Sequence, residues 1–103
     1  MPTFANDAKG LLLSSIFDPN PVIFLEHRWL HNIKGNVPKK IFQTPIGQAK
    51  IVKKGKDITI VSFSEALVQV MRLYNLMQKI NIDAEIIDLR SLRPLDIKTI
   101  INR

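Results

Sequence analysis

The stretch SSIFDPNPVIFLEH, residues 14–27, sets an acid and an amide, Asp18 and Asn20, on either side of Pro19. Both fall where a helical pattern has to stop, because Pro19 and Pro21 bring no backbone donor and push the residues before them out of helical geometry. The last carbonyls of a helix ending there have no intrahelical partners and lie at the negative end of its dipole, so oxygens converge where a cation can be held. Asp18 adds a carboxylate to that place and Asn20 an amide oxygen. The same residues have a purely local alternative, since Asp and Asn beside proline commonly hydrogen-bond their own turn. The residues alone leave both readings open.

Other chemistry-bearing residues are weaker signals. His27 and His31 have the i, i+4 spacing that puts two imidazoles on one helical face, but they follow a predicted strand, enter a connection and have no third ligand near them. Glu26 and His27 could instead face an interface or the mouth of a cleft. Trp29 beside Arg28 is one aromatic in a linker, which more often packs against its own protein than against a base. Arg90 and Arg93 could grip a phosphate or an acidic partner, yet pairing with Asp88 or Asp96 is the simpler expectation. Met71 and Met77 lie in a core-like helical stripe. No glycine-rich nucleotide loop, nucleophile elbow or pair of catalytic carboxylates is present.

The chain has 103 residues, enough for one ordinary core and not for two complete domains. It has no cysteine, which removes disulfides, thiolate zinc sites and thiol nucleophiles and fits a reducing compartment. Fifteen Lys and Arg against nine Asp and Glu leave a net charge of +6, concentrated between Lys34 and Lys56. Without stacking aromatics among these lysines, a solvated linker with a basic edge strand is favoured over a nucleic-acid footprint. No apolar run approaches the length of a bilayer span, and no basic leader precedes the early Asp7. A cytoplasmic protein that binds neither nucleic acid nor membrane is therefore expected.

The elements that must position these residues follow from periodicity. Ala8, Leu11, Leu12, Ser15 and Ile16 recur on one helical face, predicting a helix over 7–17 with Asn6 as its N-cap. Residues 22–25, a continuous apolar run, predict a strand covered on both faces. Residues 28–45 show no period and contain Gly35, Pro38 and Pro45, which marks a long connection and a domain boundary. Residues 46–53 and 57–63, separated by Lys54-Gly55-Lys56, predict a β-hairpin. Ser62 and Glu65 have capping-box spacing before a helix whose stripe of Ala66, Val70, Leu73, Met77 and Ile80, broadened by Leu67, Met71 and Tyr74, predicts burial over much of its circumference. Residues 84–89 read as a strand, so that 57–89 makes a parallel crossover unit, and Pro94 with Asp96 opens one more helix. These pieces leave sheet edges and apolar faces uncovered, as part of a larger protein would.

Three phrases, DAKGLLLSSIFDPNPVIFLEH, VPKKIFQTPIGQAKIVKKGKDITIVSFSEAL and AEIIDLRSLRPLDIKTI, resemble the beta subunit of the thiamine-diphosphate-dependent dehydrogenase component of 2-oxo acid dehydrogenase complexes, with its pyruvate, branched-chain and acetoin members. The resemblance runs through essentially the whole chain in order. It implies an α/β fold divided into the end of a transketolase-like pyrimidine-binding domain at 1–27, an interdomain linker at 28–45, and the start of a transketolase C-terminal domain with a mostly parallel sheet at 46–103. Transketolase itself and deoxyxylulose-phosphate synthase are related alternatives, and a non-enzymatic basic interaction module is an alternative of another kind.

The resemblance also implies what the chain does not carry. In the family, the glutamate that activates the thiamine ring and a histidine near the reacting centre lie upstream of the matching stretch, and the diphosphate with its magnesium sits mainly on an alpha subunit. No catalytic or cofactor-binding residue is thus assigned here, and the chain alone is expected to be inactive. The implied partners are that alpha subunit, a second beta subunit in a heterotetramer, and a lipoyl acyltransferase; the implied compartment is the cytoplasm, or the mitochondrial matrix in a eukaryote. At positions matching Ser15, Ile16, Asp18 and Asn20 the family forms a monovalent-cation site, usually assigned to potassium, from main-chain oxygens, an acid and an asparagine. The family often has alanine where Ser15 stands, which a main-chain ligand tolerates, and a basic residue where Phe17 stands.

Overall fold

A computed structural model describes residues 1–102; the span predicted to end at 103 therefore finishes on Arg103, which lies outside the described residues. The elements in order are α1 (Ala5–Phe17), a single 3-10 turn (Arg28–Leu30), β1 (Lys50–Lys53), β2 (Ile58–Ser62), α2 (Ser64–Lys79), β3 (Ala84–Asp88) and α3 (Ile97–Ile101). The strands form one sheet in the order β1-β3-β2, with β2 parallel and β1 antiparallel to β3. The fold is thus α/β, and the expected parallel crossover is β2-α2-β3.

The predicted hairpin does not form, because β3 lies between the two strands that were to pair. Its physical cause sits in the 54–57 turn. Lys56 and Asp57 both donate their backbone N–H to the Asp83 carbonyl, at 3.0 and 2.9 Å, so the turn is tied to the start of β3 and cannot fold β1 onto β2. Gly55 lies against the Ala84–Glu85 peptide, so close that a Cβ there would collide with backbone. β3 gains the central place because every one of its five residues is buried, Ile86 and Ile87 completely. Glu85 is accommodated by accepting from the Thr59 hydroxyl at 3.0 Å, across the pair Thr59↔Glu85. The basic strand β1 is an edge, as expected, and a bulge between Ile51 and Lys53 interrupts its ladder.

Residues 22–25 are not a strand. A strand needs a neighbouring ladder for its backbone groups, and no strand of the described residues runs beside this segment; Ile23 is 87% exposed. The connection that follows contains only the 3-10 turn, in keeping with its lack of period.

Helix α1 begins earlier than predicted, with Phe4 rather than Asn6 at its N-cap, and no side chain caps it. Its buried face is also displaced, to Asp7, Gly10, Leu11 and Ser14, while Leu12 and Ile16 are exposed. The neighbour decides this. The segment around Phe42 and Thr44 lies against Gly10, where a Cβ would strike both side chains. Thr44 N–H donates to the Gly10 carbonyl at 3.1 Å and the Ser14 hydroxyl donates to the Thr44 carbonyl at 2.6 Å. Small and hydrogen-bonding positions thus face inward, and the bulky stripe is left outside.

Helix α2 covers the sheet through Ser64 and Leu67, its only buried residues. The predicted broad burial is absent: Leu73, Leu76 and Ile80 are more than half exposed, because α2 packs on one sheet face with no second layer beyond it. The capping box is absent too. Phe63 occupies the N-cap, Ser64 has φ 54°, and Glu65 accepts from Gln69 instead of reaching back. At α3 the expected start holds, since the Asp96 carboxylate caps the Thr99 N–H at 3.1 Å, accepts the Thr99 hydroxyl at 2.6 Å and also takes the Ala49 N–H at 3.0 Å. Those three donors hold the Asp96 carboxyl below the usual carboxylate range, the Thr99 hydroxyl first among them.

Candidate functional site

The end of α1 forms one wall of a groove of about 510 Å³ whose lining includes Ser15, Asp18, Asn20, Ile23, Leu92 and Pro94. Asp18 is the C-cap of α1 and leaves the helix in extended geometry, φ −70° and ψ 132°. Its Oδ1 accepts the Asn20 backbone N–H at 2.8 Å and the Asn20 side-chain Nδ2 at 3.2 Å. This is the local Asp-Asn turn set out as the alternative use of these residues. The Ser15 hydroxyl donates to the Leu11 carbonyl at 2.7 Å, which leaves the Ser15 main-chain oxygen unaffected. Of the four predicted ligands, Ser15, Asp18 and Asn20 line the same groove, while the Ile16 side chain is 65% exposed, so only its carbonyl belongs to any such site.

The two histidines take different partners. His27 caps the 3-10 turn, its Nδ1 accepting the Trp29 N–H at 3.3 Å, and its ring meets the Trp29 indole edge-on with centroids 5.4 Å apart. His31 Nε2 lies 3.4 Å from Glu26 Oε2 on the surface. Among the described residues no group of three His, Asp or Glu is placed to hold a metal ion. The lysines are likewise dispersed: Lys9 ties down the loop by donating to the carbonyls of Pro38, Lys39 and Lys40, and Lys53 sits 5.3 Å over the Tyr74 ring.

The least expected cluster joins the two halves of the chain. Arg90 Nη1 lies 3.2 Å from Asp7 Oδ1, an ion pair spanning 83 residues whose acid is only 2% exposed. Arg90 also donates its Nε to the Gln48 carbonyl at 3.0 Å and its backbone N–H to Asp88 Oδ1 at 3.1 Å. The expected pairing of Arg90 with a nearby acid is therefore corrected: its backbone serves Asp88, but its guanidinium reaches back to α1. Asp96 is engaged at α3 and forms no pair with Arg93. A signal for this was present in the sequence. Asp7 stands in register with Gly10, Leu11 and Ser14 at i, i+3, i+4 and i+7, an acid in phase with a buried stripe. Arg90 holds φ 56°, a left-handed geometry uncommon for a side chain of this size, and the three bonds it makes fix it there.

The family model described as the transketolase C-terminal domain matches residues 47–103. The chain belongs to this family. Its strand, helix and strand core is the transketolase C-terminal type of α/β fold, and a solved structure described as a split-gene transketolase, an inactive beta4 tetramer, superposes with a TM-score of 0.56 at 24% identity, over 59% of this chain and 20% of that one. Similarity to named proteins reaches beyond the family match into α1 and the connection. The chain is 48% identical over 100 residues to the pyruvate dehydrogenase E1 component subunit beta of Rickettsia conorii, covering 97% of this chain and 31% of that protein. It is 41% identical over 100 residues to the acetoin:2,6-dichlorophenolindophenol oxidoreductase subunit beta of Cupriavidus necator, covering 97% of this chain and 30% of that protein. The mitochondrial pyruvate dehydrogenase E1 component subunit beta of Drosophila melanogaster is 46% identical over 103 residues, covering 96% of this chain and 28% of that protein. The chain thus spans about a third of the length of these relatives. No helix of the described residues is long and apolar enough to cross a membrane.

Proposed function

We propose that this chain is a central segment of the beta subunit of a thiamine-diphosphate-dependent 2-oxo acid dehydrogenase component, which decarboxylates a 2-oxo acid and passes the acyl group to lipoyl. Residues 1–27 are then the end of the pyrimidine-binding domain, 28–45 the linker, and 46–103 the start of the C-terminal domain. The observation that carries the reading is the similarity of 48% over 97% of the chain. It includes residues before 47, where the family match begins, and a transketolase C-terminal domain by itself would not require them. The partners in this reading are the alpha subunit, a second beta subunit and the lipoyl acyltransferase.

This reading assigns no step of the thiamine chemistry to these residues, and among the described residues no group of three His, Asp or Glu is placed to hold a metal ion. Their contribution is to join two domains: α1 is fastened to the segment at Thr44 and, through Asp7 and Arg90, to the end of β3. Exchange of the corresponding stretch of the Rickettsia subunit for residues 1–103, followed by assembly with its alpha subunit, tests the reading. Pyruvate-dependent reduction of an artificial electron acceptor is expected. An assembled, folded chimera without that activity on pyruvate or branched-chain 2-oxo acids overturns it.

A potassium ion at the end of α1 would take the main-chain oxygens of Ser15 and Ile16, the Asp18 carboxylate and the Asn20 amide oxygen. The donor set is all oxygen, as a hard monovalent cation requires, with one adjustment. Asn20 now turns its amide nitrogen to Asp18, and a half-turn of the amide exchanges nitrogen for oxygen in the same space. In the assembled subunit, potassium is expected to raise the melting temperature by about 2 °C over tetramethylammonium, the effect of about 1 kcal/mol of selective binding in a chain of that length. Asp18→Ala abolishes the difference. An equal ion response in both proteins removes the site.

A further inference from the structure

We propose that Thr3, Asp7, Asp88 and Arg90 form a proton-operated fastening between α1 and the end of β3, closed when one proton sits on Asp88 and loosened when that proton leaves. Asp7 and Asp88 are 2% and 0% exposed, and Arg90 supplies the guanidinium to Asp7. Two carboxylates share the one guanidinium that bonds either of them, while the half-buried Met1 ammonium donates to the Arg90 carbonyl and reaches neither acid, so low dielectric disfavours ionising both. The hydrogen bonds show the same deficit. One oxygen of each acid is served, but Asp7 Oδ2, Asp88 Oδ2 and Thr3 Oγ1 are all buried with no partner. One proton on Asp88 eases both faults: it removes one buried charge and adds a donor on the acid itself beside the poorly aligned Thr3 hydroxyl.

Asp88 is surrounded as follows. Asp7 faces it from α1, Thr3 from the segment before α1, and Arg90 from the turn after β3. Its ladder partners are Lys50 on β1, whose side chain is exposed, and Ser62 on β2. The amino group of Met1, which donates to the Arg90 carbonyl at 2.8 Å, feels the Asp88 charge. Burial raises the Asp88 carboxyl to about 6, and Asp7 pushes it the same way; the Arg90 N–H and charge, and to a small degree Thr3, oppose. The Thr3 hydroxyl exerts that pull as a near neighbour and not as a well-formed hydrogen bond, since its oxygen has no partner of good geometry.

The direction follows from linkage. Between about pH 4, where an unfolded aspartate ionises, and about pH 6 the folded chain holds a proton that the unfolded chain has lost, so stability falls as pH rises. Above about pH 6 both states are ionised and the loss is complete, a decrease of roughly 100-fold in the folding equilibrium constant.

The test is a carbon-13 titration of the Asp88 side-chain carboxyl in the chain, paired with hydrogen exchange at the Thr44 amide that docks on Gly10. A carboxyl midpoint near pH 6 is expected. Opening at Thr44, corrected for intrinsic exchange, should increase several-fold from pH 5 to pH 8 in the parent and stay flat in Asp88→Asn, whose neutral amide keeps a donor at that position at every pH. A midpoint below about pH 4.5 overturns the proposal, as does an Asp88→Asn chain whose Thr44 opening follows the parent's pH dependence.

Discussion

Arg90→Met is expected to lower the melting temperature by about 15 °C or more, as measured by circular dichroism or calorimetry at neutral pH. The substitution keeps most of the side-chain volume but leaves the Asp7 carboxyl, 2% exposed, without the guanidinium it pairs with. Breaking a buried pair from one side typically costs about 3–5 kcal/mol, and in a domain near this size each kcal/mol moves the midpoint by about 4–8 °C. The Gln48 carbonyl loses its donor as well. The double variant Asp7→Leu with Arg90→Met should recover much of the loss, because removing both charges removes the desolvated carboxylate. A single variant that melts within about 3 °C of the parent would mean that the pair does not fasten α1 to the sheet.

The second large effect is expected at Gly55. A Cβ added there meets the Ala84 carbonyl carbon and the Glu85 nitrogen, both backbone, so relief requires moving the turn away from the first residues of β3. That movement strains the two hydrogen bonds from Lys56 and Asp57 to the Asp83 carbonyl. Gly55→Ala should therefore cost about 2–3 kcal/mol in urea unfolding, at the upper end of ordinary overpacking. Gly35→Ala is the matched control: its new Cβ would lie 3.5 Å from the Ala5 methyl, an ordinary contact, and its effect should stay within about 0.5 kcal/mol. Equal effects in the two variants would show that the contact with β3 does not govern Gly55.

Both positions show how a sequence signal can be present and still be misread. Lys54-Gly55-Lys56 reads as a turn, and a turn between two apolar runs fits a hairpin and a sheet crossing equally well. What separates them is the partner that arrives 27 residues later, when Asp83 offers its carbonyl to both Lys56 and Asp57. Arg90 likewise stands out for its charge, with acids close to it in sequence as the nearest candidates for a pair. Its guanidinium partner lies 83 residues away, and only the packing of α1 onto the sheet brings Asp7 within reach.

The candidate cation site stands between these cases. The proline pair ends α1 at Phe17, as local backbone sterics require, and the acid and amide do fall at the helix end. The oxygen that Asn20 presents is a rotamer choice, which local sequence does not determine. The stripe of Leu12 and Ile16, the run around Ile23 and the outer face of α2 likewise carry apolar patterns that stay exposed among the described residues. Periodicity gave the element type correctly for both helices and wrongly for residues 22–25, because a helix bonds to itself whereas a strand exists only through another strand.

By itself the sequence determined the helices, the parallel crossover, the α3 start at Asp96 and, by resemblance, the family. These rest on interactions a few residues long or on patterns repeated within one element. Tertiary structure alone decided that β3 takes the centre of the sheet, that the inner face of α1 is its small and acidic one, and that Asp7, Asp88 and Arg90 share a single buried site. Those outcomes depend on desolvation and charge balance among groups far apart along the chain, and such energies come into being only when the chain has closed around them.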